Sequence, residues 1–423
     1  MKKLLIMGIN TRGLVNSCLK LPYKCYSVSY YFTCDFKHPF KEKHILNQVE
    51  EKSCGFFEEN YSPEKLLELS LDYMDEVDTI ILSSGISPSD FKGKFKKYKK
   101  KILGNTDIKD IEDKYKFYKK IKNKFLTSKT FKVRHGNNED NIHETLDILK
   151  ENKNKFFIIK PLQGSGGYGV KYLKYNENYK LKTNNSKESI YNNYFLEYEK
   201  TGFIIQEYIE GTNISSSILS TKNESKTIVT SKMLIESDFG LKNSFRYCGN
   251  IVPFESDNIN NIKIISQDLI SQLKLIGSNG IDMILNNKHQ NKREKDQKSE
   301  NNEDVYIIEV NPRFQGTYEC VEEVLGINLL EAHIKACAGE LIDIPTLKKD
   351  IYSMKRLIYS DNRLKIGNIK KNHDIYDIPF KGVIIEKNEP LVSIITPKKD
   401  LKMGKKIIEK KIIELNDNIK TLN

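Results

Sequence analysis

At 423 residues, with 38% hydrophobic and 30% charged side chains, the chain has apolar material for two or three cored domains. Its longest apolar runs, such as Leu4 to Ile9, fall far short of the ~18 residues that cross a bilayer. Seven cysteines with no C-x-x-C and no paired Cys/His spacing argue against a disulfide scaffold and a structural zinc, and for a reducing cytoplasm. The net charge of +12 is densest at Lys92–Lys101, KGKFKKYKKK. A solvated face accounts for that run, and no nucleic-acid-binding module accompanies it, so no nucleic-acid partner is expected.

Met1-Lys-Lys-Leu-Leu-Ile-Met-Gly8 begins like a signal peptide but reaches no small-residue cleavage site, and reads better as a first β-strand. Thr11 to Leu21 follows as a short helix, Tyr26 to Phe32 and Asp78 to Ser84 as further strands, and Lys101 to Gly104 as one more. Strands alternating with helices favour a parallel sheet. Arg12, in the first strand-to-helix turn, reads as a surface arginine by default and as a contact for an anionic substrate otherwise. Residues 107–150 read as charged helix, 213–254 as several strands, Ile262 to Ile276 as a helix, and Asp377 to Ile394 as a small β unit followed by an amphipathic helix, Met403 to Leu415.

Two regions carry chemistry. Phe156 to Tyr175, FFIIKPLQGSGGYGVKYLKY, is an apolar run ending in Lys160, a glycine-rich loop, and a second strand-like run. Gly164 to Gly169 satisfies G-x-G-x-x-G, yet a dinucleotide site needs a helix directly after the loop, and a Walker loop needs Lys-Ser or Lys-Thr. What remains is a hairpin whose N–H groups can wrap phosphate. In the second region, Gly280 to Asn286 and Val305 to Gly316 read as two strands of a hairpin around a polar insert, 287–304, with no apolar residue to bury. Side chains two apart share a strand face, so Glu309 and Asn311 point together while Ile308 and Val310 point into a core. With Asp282 on the partner strand, these are the hard oxygen ligands that suit Mg²⁺. The guanidinium of Arg313, two residues on, suits a phosphoryl oxygen or a carboxylate.

In this order, IIKP before the Gly-Ser-Gly-Gly loop, then IIQEYIEG, GIDMIL and IIEVNPR resemble the ATP-grasp superfamily over about residues 100–340. IIEVNPRFQGTYE and DIPFKGVIIEKNEPLVSI resemble more narrowly the archaeal-type ATP-grasp carboligases related to biotin carboxylase. The resemblance implies an α/β chain of three modules. Residues 1–105 would form a Rossmann-like pre-ATP-grasp domain. Residues 106–345 would form the two-lobed ATP-grasp domain, its small lobe at about 120–210, and 346–423 a small β-rich region with a terminal helix. It further implies ATP with Mg²⁺ or Mn²⁺. Lys114 and Lys160 would contact phosphates, and Gly164, Ser165, Gly166 and Gly167 would form the lid. Glu207, Tyr208 and Ile209 would read adenine through backbone groups. Glu210 would hold ribose, although Asn213 stands where many relatives have an acid. Asp282, Glu309 and Asn311 would hold the metal, and Arg313 would be catalytic beside the reacting phosphate.

The expected activity is that of a carboxylate–amine ligase working through an acylphosphate, with small-molecule partners, no membrane, and a dimer compatible with the family. The alternatives are a biotin-carboxylase-like enzyme using bicarbonate, a nicotinamide-dependent oxidoreductase, and a non-catalytic ATP-binding protein. A kinase reading of Asp238-Phe-Gly240 lacks the His-Arg-Asp loop that should precede it. His333 reads as structural before it reads as a substrate contact, Arg246 and Asn250 as acceptor-pocket candidates, and Cys248 and Cys320 receive no role.

Overall fold

The computed structural model describes the chain except residues 47, 55–60, 134–137, 163, 165, 175–201, 242–243, 287–302, 371–372 and 423. The expected polar insert lies outside the described residues but for its last two.

Uninterrupted apolar runs make the first sheet. β1 (Lys3–Gly8), β2 (Lys24–Tyr31), β3 (Lys41–Leu46) and β4 (Thr79–Leu82) pair in the order β3-β2-β1-β4, all parallel. Leu4, Leu5, Ile6 and Met7 are all buried, as a strand covered on both faces requires. The charged run of β3, KEKHIL, is an edge strand that sequence reading missed; lysines there discourage pairing with other chains. Lys101 to Gly104 is not a strand. Ile102 makes one isolated bridge to Ile80, and Gly93–Lys101 before it is a 3₁₀ helix. Phe95 and Tyr98, three residues and thus one 3₁₀ turn apart, are buried while Lys94, Lys96, Lys97 and Lys100 are exposed.

The second sheet is antiparallel, in the order β5-β8-β6-β7: β5 (Thr130–Val133), β6 (Phe156–Pro161), β7 (Lys171–Lys174) and β8 (Phe203–Glu207). β5 interrupts the stretch expected to be helical, which otherwise holds helices Lys114–Ile121 and Asn138–Glu151.

The third sheet is the largest. Its strands are β9 (Thr212–Ser220), β10 (Ser225–Ile235), β11 (Tyr247–Val252), β12 (Gly277–Asn286), β13 (Asp304–Asn311), β14 (Ser353–Tyr359), β16 (Ile375–Tyr376) and β18 (Pro390–Ile395). They run β13-β12-β9-β10-β11-β14-β18-β16. Helix Ile259–Leu273 lies on β9 and β10, burying Ile262, Leu269 and Ile270. β15 (Leu364–Ile366), β17 (Ile384–Ile385) and β19 (Ile419–Thr421) form a small sheet beside helix Leu401–Asn416. One sheet therefore runs through residues on both sides of the expected boundary at 345/346. Among the described residues no helix is long and apolar enough to cross a membrane.

Two buried polar groups knit these parts together. Arg12 is 2% exposed, which overturns its reading as a surface arginine. Its Nε donates to Asp377 at 2.7 Å, and Nη1 and Nη2 donate to Glu319 at 2.9 and 3.1 Å. Burial alone would ease its proton off, but Asp377 and Glu319 outweigh that and hold its pKa well above the ordinary arginine value. His333, on helix Leu329–Cys337, accepts the Ser278 N–H at Nδ1 (2.8 Å), so Nε2 carries the proton and donates to the Leu103 carbonyl at 3.2 Å. Burial lowers its pKa to about 4. Against ~6.5 in the unfolded chain, the unfolded state binds the extra proton between those values. Stability from neutral His333 is therefore complete above pH ~6.5 and falls by about 3 kcal/mol as pH drops to ~4. Chemical denaturation of His333→Gln across that range should show a shallower loss than the wild type; equal slopes would contradict the linkage.

Candidate active site

The glycine loop joins two strands, as its flanking residues dictate. β6 and β7 pair antiparallel with Ile159 opposite Lys171, which removes the helix a dinucleotide site needs. Gly164, Gly166 and Gly167 all have positive φ; Ser165 lies outside the described residues. The loop is seated. Tyr247 N–H donates to the Gly166 carbonyl at 3.0 Å, and Lys114 Nζ donates to the Gly164 carbonyl at 2.9 Å. A Cβ at Gly167 would lie 2.0 Å from the Phe245 carbonyl oxygen, so only glycine lets the loop reach β11. Gly167→Ala should misplace the loop and lower kcat/KM for ATP by about 10²-fold, with little change in melting temperature. Steady-state ADP release checks this, and unchanged kinetics would contradict it.

The carboxylates meet across one ladder. Asp282 of β12 stands opposite Glu309 of β13, and Gly280 opposite Asn311. Asn311 Nδ2 donates to Asp282 Oδ2 at 3.0 Å, and Lys114 Nζ lies 3.6 Å from Glu309 Oε2. One expectation fails here. The register slips between Asp282 and Met283, so Ile307 and Val310 enter the core while Ile308 lines the cavity beside Glu309. A β-bulge puts two consecutive residues on one side, which simple alternation cannot anticipate.

The electrostatics set the two carboxylates apart. Burial, then the neighbouring Glu309, push Asp282 up to about 7. Burial also opposes ionisation of Glu309, but Lys114 and Lys160 outweigh it and hold that group below its usual value. Burial lowers Lys160 to about 8, with Glu309 resisting, and burial likewise lowers Arg313. Two facing carboxylates and an amide, one carboxylate inclined to keep its proton, fit a hard divalent cation whose remaining ligands come from phosphate and water. Among the described residues no larger cluster of His, Cys, Asp and Glu offers a full protein cage.

A single cavity of about 460 Å³ is lined by Lys114, Lys160, Gly164, Gly166, Gly167, Glu207, Tyr208, Ile209, Asp282, Glu309, Asn311 and Arg313. Glu207 and Tyr208 N–H groups are engaged by the Lys129 and Phe156 carbonyls at 2.8 Å each, and the Glu207 carboxylate pairs with Lys155 at 2.7 Å. Glu210 is exposed at the turn between β8 and β9, between Ile209 and Gly211 of the cavity wall, and Asn213 is also part of that wall.

A model of the ATP-grasp domain matches residues 111–317. An uncharacterised protein of Methanocaldococcus jannaschii is 30% identical over 397 residues, 93% of this chain and 88% of that one. The chain belongs to the ATP-grasp family. That membership gives the chain an ATP-grasp domain over residues 111–317, and with it an ATP site. The ATP-grasp fold is repeated in solved structures at 14% identity. The biotin carboxylase domain of Hydrogenobacter thermophilus 2-oxoglutarate carboxylase, solved with MgADP, ADP and bicarbonate, covers the whole chain and 90% of its own at a TM-score of 0.69. The N5-carboxyaminoimidazole synthetase of Staphylococcus aureus covers 97% of each chain at 0.60.

The remaining candidates of this ATP-grasp chain divide. Asn250 lines the cavity and accepts from the Tyr247 hydroxyl. Arg246 stays off the cavity wall, pairing with Glu236 and lying over the Tyr359 ring at 3.8 Å. His333 is likewise off that wall, with both ring nitrogens engaged by backbone. Cys248 and Cys320 are buried. Asn10, Tyr31, Lys355, Tyr359, Asp377 and Ser393 line the same cavity and were all missed. Only proximity in the fold identifies them.

Proposed function

We propose that the protein activates a small-molecule carboxylate with ATP and joins it to an amine. The carboxylate attacks the γ-phosphate to give an acylphosphate and ADP; the amine then displaces phosphate and leaves an amide. The supporting observation is the single cavity that brings Lys114, Lys160 and the seated glycine loop against Asp282, Glu309, Asn311 and Arg313. Lys114 and Lys160 offset charge on the phosphates, and Arg313 offsets charge on the reacting group or the attacking carboxylate. The glycine loop keeps water away from the acylphosphate. Asp282, Glu309 and Asn311 would hold Mg²⁺, which would supply charge neutralisation at the phosphate oxygens. Catalysis by positioning and neutralisation needs no general base in the wall.

We divide the chain into sequence regions 1–105, 106–345 and 346–423, the last two sharing one sheet, and place it in the cytoplasm, where seven free cysteines are chemically stable. A second reading, phosphorylation of bicarbonate, draws on the fold shared with biotin carboxylases. ADP release screened over carboxylate and amine pairs, with and without bicarbonate, separates the two. Release that needs both organic substrates supports the ligase; release that needs bicarbonate supports the alternative. Stabilisation of the protein against heat by NAD but not by Mg-ATP would sink both.

A further inference from the structure

The cavity has a second end, walled by Asn10 in the turn after β1, by Tyr31 of β2, and by Lys355, Tyr359, Asp377 and Ser393 from beyond residue 346. Charge divides the cavity. At the metal end Lys114, Lys160 and Arg313 face two carboxylates, an excess of positive charge that suits polyphosphate. At the other end Arg12 and Lys355 face Asp35, Glu319 and Asp377, so three carboxylates meet two cations. Burial pushes Asp35 toward its neutral form and its oxygens accept two backbone N–H groups, so the charge that an incoming cation can meet at the wall is that of Asp377.

Asp377 is the carboxylate of that cluster on the cavity wall. Arg12 Nε and Asn10 Nδ2 both donate to its Oδ1, at 2.7 and 2.8 Å, and the Ser393 hydroxyl adds a hydrogen bond. Its backbone sits at φ 58°, pinned by Asp35, whose carboxylate accepts the Asp377 and Ile378 N–H groups at 3.0 and 2.9 Å. Thr317, 3% exposed, lines the same cavity, and its hydroxyl has no hydrogen-bond partner among the described residues. The residues around Asp377 thus hold one carboxylate rigidly at a wall that also offers an unused hydroxyl and two tyrosines.

We propose that this end binds a substrate bearing an aliphatic ammonium or guanidinium group, with Asp377 as its counter-ion, Thr317 as a further acceptor, and Tyr31 and Tyr359 as aromatic surface. This assignment rests on the ligase reading and names the class of its amine substrate. The attacking nitrogen must be unprotonated. Arg12 holds the buried Asp377 carboxyl well below the usual range, so it takes up no proton near neutral pH. The cation at Asp377 is therefore a second group, remote from the reacting nitrogen, as in a diamine or a guanidino-amine.

Isothermal titration of the full chain loaded with Mg-ADP tests this, using agmatine and 1,4-diaminobutane against 1,4-butanediol and glutarate. The two amines should bind at least about tenfold tighter than the diol or the diacid. Asp377→Asn should weaken amine binding by about tenfold or more and leave Mg-ADP affinity unchanged. Because that change also removes a partner of Arg12 and can cost folding, Leu357→Lys provides a second arm. Leu357 lines the cavity and a small recess that it shares with Asp377; a lysine there supplies an internal ammonium, and Leu357→Met, of similar bulk and uncharged, is the control that should keep amine affinity. Leu357→Lys should cause the same loss as Asp377→Asn. Diol or diacid binding as tightly as the amines, no probe binding, or full amine affinity in folded Asp377→Asn or Leu357→Lys would overturn the assignment. Failure of Mg-ADP to bind would count against the ligase reading instead; the probes are then titrated into nucleotide-free protein, where the preference stands or falls alone.

Discussion

Glu309→Gln should lower substrate-dependent ADP release by about 10²- to 10³-fold while the protein stays folded. Gln keeps the volume of the side chain but loses the charge that faces Asp282 across the ladder and lies 3.6 Å from Lys114. In the wild type, Glu309 is the carboxylate that stays ionised, held so by Lys114 and Lys160, and Asp282 is the one pushed toward its neutral form. Removing the Glu309 charge would therefore take away the stronger of the two anionic ligands proposed for the metal and leave both lysines less compensated. Melting with and without Mg-ADP separates lost chemistry from lost structure. The variant should melt close to the wild type alone and gain less from Mg-ADP. Activity within tenfold of the wild type would remove Glu309 from the metal site.

Arg12→Met should destabilise the folded chain by about 3–5 kcal/mol, the usual result of leaving buried carboxylates without their partner. The guanidinium contacts Asp377 and Glu319 by hydrogen bonds and Asp35 at 3.6 Å, and its face lies 4.8 Å from the Tyr376 ring centre. Met retains much of the apolar stem, so the loss isolates the charge. Pairing the change with Asp377→Asn in a double-mutant cycle should give a combined loss smaller than the sum, because the two groups share one interaction. Denaturant midpoints measure this. Strict additivity would mean that the bond at 2.7 Å contributes nothing of its own.

Much of the nucleotide end was legible because its signals are local. A lysine before a glycine loop, and a carboxylate and an amide spaced by two on a strand, are patterns that survive without knowledge of the fold. β3 was not legible, since an edge strand faces water and carries the lysines of any exposed segment. Ile308 was placed on the wrong face because a bulge adds one residue to the count without marking the sequence. Arg12 and Asp377 are separated by 365 positions, and nothing in either neighbourhood announces the other. Distant partners of that kind build the second end of the cavity, which explains why its wall had to be seen rather than read.

The unbroken sheet from β13 to β16 has a practical consequence for dissecting this protein. The strand carrying Glu309 and Asn311 and the strand carrying Lys355 and Tyr359 belong to one hydrogen-bonded array, five ladders apart. A truncation after residue 345 would strip β14 from β11 and leave a fresh row of unpaired N–H and C=O groups on an apolar, newly formed edge. Such a fragment is a template for intermolecular pairing, so an insoluble or self-associating product would reflect the cut and not an unstable nucleotide lobe. Sections of this molecule should be taken between its sheets, never through one.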